Sequence, residues 1–181
     1  MPQQSRPKHP TIYPTVQDWY TNTGGVRYVA HAITAGTPPV ARQLRTPQTG
    51  GAPGASPASH PDQVYWSTSQ YLDAAIQNTI TQAGGVAAIL RIEIDCSLMP
   101  CSTQNTSCLY QVPRLINRYG FTNVPLRIYS HRDEAMGGGN ASSKRVIICR
   151  SGDNNTALLA AYNANTDWSW APWNTAAPAY L

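Results

Sequence analysis

Three groups of side chains, well separated along this 181-residue chain, combine anion binding, hydroxyl hydrogen bonding and charge stabilisation. Arg27 lies in an otherwise apolar segment, and a guanidinium binds phosphate oxygens through a planar fork that lysine lacks. The run Ser67-Thr68-Ser69 supplies hydroxyls that hydrogen-bond a carboxylate or nearby backbone groups. Glu134 comes shortly before the glycines at 137–139, where a turn can carry its carboxylate into a cleft to stabilise a developing cation.

Each group also has a purely structural interpretation, which the sequence leaves open. Arg27 can lie on the solvent face of a strand, and Ser69 can act only as the N-cap of a following helix. The chain has one other glutamate, Glu93, but alternation places it on the solvent face of a strand. Glu134 is therefore the stronger candidate for a catalytic carboxylate.

The elements that must position these residues are predicted from hydrophobic periodicity and from turn residues. Strands are predicted at 26–33, 64–67, 86–96, 124–129 and 145–150. Helices are predicted at 15–23, from a cap at Ser69 to a stop at Gly84-Gly85, at 113–119 with Pro113 in its first turn, and after a cap at Asn155. The stretch 35–61 is too rich in glycine and proline for long regular structure. We expect an α+β fold, with residues 1–14 as a flexible linker or cloning-derived start and residues 15–181 as a single domain.

The strand at 86–96 alternates cleanly between apolar and charged residues. The apolar side is predicted to face the core, and it consists of Leu90, Ile92 and Ile94. The charged side is predicted to face solvent, and it consists of Arg91, Glu93 and Asp95.

The order of the motifs resembles that of a known enzyme family. Arg27, then Val64-Tyr65-Trp66-Ser67-Thr68-Ser69, then Tyr129-Ser130-His131 leading through Glu134 into glycines, resembles the Arg, Ser-Thr-Ser, Glu pattern of the mono-ADP-ribosyltransferases. The similarity is to the cholera and heat-labile enterotoxin group, and it covers residues 26–150.

This resemblance implies a fold, a substrate and a set of roles. The fold would be split mixed β-sheets around an NAD cleft with flanking helices. Arg27, Ser67, Thr68 and Ser69 would bind NAD, the substrate, while Glu134 and Ser67 would be catalytic in transferring ADP-ribose to a host protein. The most similar members would be type III effectors of plant pathogens, which bacteria secrete into the host cytoplasm, and a monomer is expected.

The third motif departs from the family pattern of Glu-x-Glu. An alignment on the segment 135–138 places Arg132 at the catalytic position, whereas an alignment on 129–131 keeps Glu134 there. An arginine at that position would repel the cation that develops on the ribose. The alternative is therefore a catalytically silent member of the same fold that binds a peptide or protein in the former NAD cleft.

A third interpretation comes from a different class of protein. The tryptophans at 168, 170 and 173 would suit a carbohydrate-binding domain stabilised by disulfides. It is ranked below the two interpretations based on the transferase fold.

Composition limits the partners that the chain can have. The net charge of +4 and the pI near 9.0 favour an anionic partner such as NAD, but the basic residues are too dispersed to predict a nucleic-acid surface. No apolar segment approaches the roughly 18–20 residues that span a bilayer, so no membrane partner is expected.

The four cysteines, at 96, 101, 108 and 149, do not follow zinc-finger spacing. No metal site is predicted, and free thiols are favoured over disulfides. Cys149, within an apolar run, is predicted to be buried.

Overall fold

The structure, a computed structural model, describes residues 27–49, 60–66, 71–96, 100–102, 108–130 and 146–164. Its strands are β1 (Arg27–Thr34), β2 (Val40–Gln43), β3 (Gln48–Thr49), β4 (Ile89–Cys96), β5 (Pro125–Ser130) and β6 (Val146–Arg150). Its helices are α1 (Pro61–Trp66), α2 (Ala74–Gln82), α3 (Cys108–Asn117) and α4 (Asn155–Ala164), with a 3-10 turn at Val86–Ala88. One mixed sheet with helices packed on it confirms the general α+β prediction.

The strands form a sheet in the order β2-β1-β4-β5-β6, and β3 also pairs with β1. β1 is antiparallel to β4, β4 is parallel to β5, and β5 is antiparallel to β6. In this register Tyr28 pairs with Cys96, which pairs in turn with Ser130. The start of β1 and the ends of β4 and β5 therefore lie together, at what we call the Cys96 edge.

One face of the sheet and the helices share a single hydrophobic core. The sheet residues of this core include Ala30, Ala32, Ile92, Ile94, Leu126, Ile128 and Ile147. The helices contribute Trp66, Ile76, Leu109, Val112, Ile116 and Leu158. Burying a large apolar side chain contributes about 1.5–3 kcal/mol, so this layer fixes where the short helices sit on the sheet.

The predicted strand at 64–67 is wrong, because residues 61–66 form α1. Its aromatic composition suggested a strand, but packing decides the outcome: Tyr65 and Trp66 are both fully buried against the sheet and α3. The helix that follows is capped by Asp73 instead of Ser69, with Asp73 Oδ1 accepting from the amides of Ala75 and Ile76 at 2.9 and 3.1 Å. The predicted junction from strand to helix is therefore replaced by two helices.

The predicted solvent face of β4 is also wrong. Arg91, Glu93 and Asp95 are only 7%, 1% and 3% exposed, whereas Leu90, predicted to be core, is 52% exposed. β4 lies in the middle of the sheet, where a strand is commonly buried on both faces. Arg91 and Glu93 form an ion pair with an Nε to Oε1 distance of 2.9 Å, which offsets part of the cost of burying them.

Other boundaries were predicted with mixed success. The strands β1, β5 and β6 are confirmed within one residue at each end, and Gly84 and Gly85 end α2 with φ of 97° and 90°. α3 begins at Cys108, so Pro113 lies inside it and not in its first turn. The cap of α4 is Asn154, whose Oδ1 accepts from the amide of Ala157 at 3.0 Å. The stretch 35–61 contains β2 and β3, and the predictions at 1–23 and at the three late tryptophans lie outside the described residues.

Candidate metal centre

The structure describes one of the residues predicted for the NAD site. Arg27 opens β1 at the Cys96 edge, where its backbone pairs with Thr49. Ser67, Thr68, Ser69 and Glu134 lie outside the described residues, as does Arg132. Their grouping around NAD therefore stays a prediction.

The fold instead brings together three metal-binding side chains that were not predicted to form a site. Nδ1 of His60 and the Sγ atoms of Cys101 and Cys108 all lie within 4.8 Å of one another. His60 Nδ1 is 3.2 Å from Cys108 Sγ and 3.7 Å from Cys101 Sγ. His60 directly precedes α1, whereas Cys108 is the first residue of α3.

Local backbone contacts explain why the two cysteines meet. β4 ends at Cys96, and the chain then reaches Cys101 close to the first turn of α3. The carbonyl of Cys101 accepts from the amide of Leu109 at 3.0 Å, and its Sγ accepts from the amide of Cys108 at 3.3 Å. These two contacts hold Cys101 beside the first residue of α3.

A carboxylate lies directly beside the three donors. The thiol of Cys108 donates to Oδ1 of Asp62 at 3.0 Å, and the same oxygen accepts from the amide of Gln63 at 3.1 Å. Asp62, in the first turn of α1, is 8% exposed, and its burial raises the pKa of its carboxyl. Asp62 is not one of the mutually close donors, so it borders the cluster without completing it.

The thiol of Cys108 holds its proton firmly when no cation is bound. The hydrogen bond with Cys101, burial and the nearby Asp62 together raise the pKa of the Cys108 thiol well above its usual range. A divalent cation bound here would displace the thiol protons of both cysteines. The two thiolates would then balance its charge of +2. The protein would then hold a neutral metal centre in a nearly buried position.

The donor set and its spacing fit zinc. In a tetrahedral zinc site, sulfur and nitrogen ligands lie roughly 3.6 Å apart, close to the two distances from His60 to the cysteines. Two thiolates and an imidazole favour zinc over magnesium or calcium, which prefer oxygen ligands. Among the described residues three side chains can act as ligands, which leaves a fourth position for water or substrate, as in catalytic zinc sites.

The residues of this centre belong to two short sequence motifs, neither of which follows zinc-finger spacing. The first motif is His60-Pro61-Asp62, and the second is Pro100-Cys101, followed by Cys108 after six intervening residues. Zinc-dependent nucleobase deaminases use a signature of His-x-Glu and Pro-Cys-x-x-Cys, in which the glutamate is not a ligand. Aspartate in place of glutamate, and a wider cysteine spacing, separate this chain from that signature.

Comparison with known proteins adds no relative: the sequence matches no protein-family profile and no curated protein, and the fold matches no solved structure. Among the described residues, no helix combines the length and the apolar character needed to cross a membrane.

Proposed function

We propose that this protein is a zinc-dependent hydrolase that removes the exocyclic amino group of a nucleobase. The observation that carries the proposal is the convergence of His60, Cys101 and Cys108 within 4.8 Å, with Asp62 in contact with Cys108. A histidine, two cysteines and an adjacent carboxylate that is not a ligand are the working parts of the zinc deaminases.

The reaction would be a hydrolysis without any redox change. A bound zinc ion would polarise a water molecule at the fourth position. Asp62 would take a proton from that water and deliver it to the leaving amino group, so its carboxyl would serve first as base and then as acid. A carbon–oxygen bond forms, the carbon–nitrogen bond breaks, and the products are the oxo-base and ammonia.

The burial of Asp62 suits this role. A carboxyl group whose pKa is raised by its surroundings holds and releases a proton closer to neutral pH than an exposed aspartate does. Its contact with Cys108 Sγ also keeps it next to the position that the metal would occupy.

Transfer of ADP-ribose from NAD to a host protein stays a prediction from sequence. Four of its residues, Ser67, Thr68, Ser69 and Glu134, lie outside the described residues, and α1 occupies most of the strand predicted at 64–67. A zinc centre is not required by that chemistry, so deamination takes precedence here. Secretion from a bacterium into a host cell stays a prediction that is compatible with either activity.

The test starts with zinc content, measured by mass spectrometry of protein purified without chelators. The protein is then incubated with cytidine, with adenosine and with single-stranded DNA and RNA, and released ammonia is measured. Deamination also raises the mass of the base by about 1 Da. A parallel incubation with NAD follows nicotinamide release.

The expected result is one zinc ion per chain and ammonia from at least one amino-substituted base, lost on chelation and restored by added zinc. A chain that binds no zinc would contradict the proposal. Zinc-loaded protein that releases nicotinamide from NAD but no ammonia would return the assignment to the transferase.

A further inference from the structure

The helix that follows His60 and contains Asp62 is too short to hold its own position. α1 has six residues, and helices of this length are unstable in isolation. His60 precedes it and Asp62 lies in its first turn, so the placement of both side chains depends on what anchors the helix. The anchors lie at its other end, at Tyr65 and Trp66.

Tyr119 forms the first of these anchors. Its hydroxyl donates to the carbonyl of Trp66 at 2.7 Å and accepts from the amide of Asp73 at 2.9 Å. The Tyr119 ring also meets the Trp66 ring edge to face, with centroids 6.0 Å apart. Burial raises the pKa of Tyr119, so its hydroxyl keeps the proton that it donates to Trp66.

Arg45 forms the second anchor. Its Nη1 donates to the carbonyl of Tyr65 at 3.2 Å and to Oδ2 of Asp73 at 2.8 Å, and its guanidinium lies 5.6 Å from the centre of the Tyr65 ring. The last carbonyls of a helix have no partner within it, and a cation near them is stabilising. Arg45 and Tyr119 therefore cap the C-terminal end of α1 from distant parts of the chain.

The same contacts define how α1 lies on α3. Asp62 contacts Cys108 at the start of α3, and Trp66 contacts Tyr119 two residues beyond its end. α1 is therefore linked to α3 by the contact of Asp62 with Cys108, and to the segment just after α3 by the contact of Trp66 with Tyr119. A shift at the Tyr119 end moves His60 and Asp62 relative to the cysteines.

We propose that Tyr119 and Arg45 are positioning residues for the metal centre, because they hold α1 against α3 so that His60 and Asp62 meet Cys101 and Cys108. This inference rests on the proposed zinc-dependent function. Neither residue is expected to touch the metal or the substrate.

The test is Tyr119→Phe, which keeps the ring and removes only the hydroxyl. Zinc affinity is measured by competition with a chromophoric chelator, under conditions where the metal-free protein is folded. Cobalt is then substituted for zinc, because its absorption reports on ligand geometry and on bonds to thiolate. The control is Tyr162→Phe, which makes the same chemical change on α4.

We expect Tyr119→Phe to weaken zinc binding about tenfold, the lower end of the loss in metal affinity seen when residues that support the ligands are replaced. The variant should also alter the cobalt spectrum. Tyr162→Phe should match the unmodified protein in both measurements. Arg45→Lys keeps the charge but not the planar guanidinium, and it should weaken zinc binding less than Tyr119→Phe. It tests the positioning role if the tyrosine variant does not fold.

Two outcomes separate the failure of this inference from the failure of the proposed function. If Tyr119→Phe and Arg45→Lys lower the free energy of unfolding but leave zinc affinity and the cobalt spectrum unchanged, the positioning role is overturned while the zinc enzyme stands. If the unmodified protein binds neither zinc nor cobalt, the proposed function and this inference both fail.

Discussion

The Sγ of Cys108 lies 3.2 Å from Nδ1 of His60, although 48 positions of sequence separate the two residues. α1 and α3 pack against each other, and His60 directly precedes α1 while Cys108 is the first residue of α3. The contact is therefore a product of the tertiary fold. It brings together two of the three metal-binding side chains of the site.

Replacing a thiol of the cluster should remove the metal. We expect Cys108→Ser to lose zinc affinity by more than the roughly 10–100-fold caused by outer-shell changes, because a direct ligand is lost. Zinc content after dialysis measures the effect. Cys149→Ser is the matched control, since Cys149 is also a buried thiol but lies outside the cluster; equal zinc loss in both variants would argue against the centre.

Asp62 should matter for turnover more than for metal binding. Asp62→Asn removes the proton-transfer group with little change in shape, so kcat should fall by about 10²–10⁴-fold, the usual contribution of a general acid or base. Zinc content should stay at the unmodified level. Asp153→Asn, a second aspartate outside the cluster, provides the control; a loss of zinc from Asp62→Asn alone would make Asp62 a fourth ligand.

Metal binding should depend steeply on pH. The pKa of the Cys108 thiol is raised, so zinc must displace a proton that is firmly held at neutral pH. Apparent zinc affinity should therefore rise with pH, by about tenfold per pH unit for each thiol proton released. Titrations at several pH values in weakly coordinating buffers measure the slope, and a flat profile would contradict thiolate ligation.

Cys149 should be inert in the folded protein. Burial raises the pKa of its thiol to about 12, so almost no thiolate exists at pH 8, and its residue is 5% exposed. Alkylation followed by mass spectrometry should leave Cys149 unmodified until denaturant is added. Because the unfolded thiol ionises near its ordinary pKa of about 8.5, its ionisation should lower the free energy of unfolding as pH rises above that value.

Asp73 should stabilise the fold through two separate contacts. Its Oδ1 caps α2, and its Oδ2 pairs with Arg45. Asp73→Ala should lower the free energy of unfolding by at least the 0.5–2 kcal/mol (about 1 kcal/mol) typical of a lost cap. Asp73→Asn keeps the cap and removes the charge, so urea unfolding of the two variants separates the contributions; identical losses would assign the whole effect to the ion pair.

Local patterns were sufficient for part of the fold. β6 was predictable because β-branched residues follow one another at 146–148, and β5 because apolar residues alternate at 124, 126 and 128. Gly84 and Gly85 marked the end of α2 because their positive φ disfavours other residues. The general α+β class followed from the same signals. The NAD cleft implied by the resemblance stays a prediction.

Long-range packing determined the rest. The segment 64–66 has strand-forming side chains, yet it is helical because Tyr65 and Trp66 fill the space between β1 and α3. Alternation along β4 identified its two faces, but it could not reveal that the charged face is buried as well. His60 and Cys108 belong to different elements, and no spacing rule for a single segment connects them.

The register at the Cys96 edge separates the sheet from the segments that follow it. Tyr28, Cys96 and Ser130 are paired within the sheet. The connection between Cys101 and Cys108 lies beyond the end of β4, so it can change in length without disturbing any strand. Doubling a loop costs only about 0.6 kcal/mol of closure entropy. New substrate preferences could therefore arise beside the metal centre through insertions and deletions in this connection, while the hydrogen-bonded sheet is inherited intact.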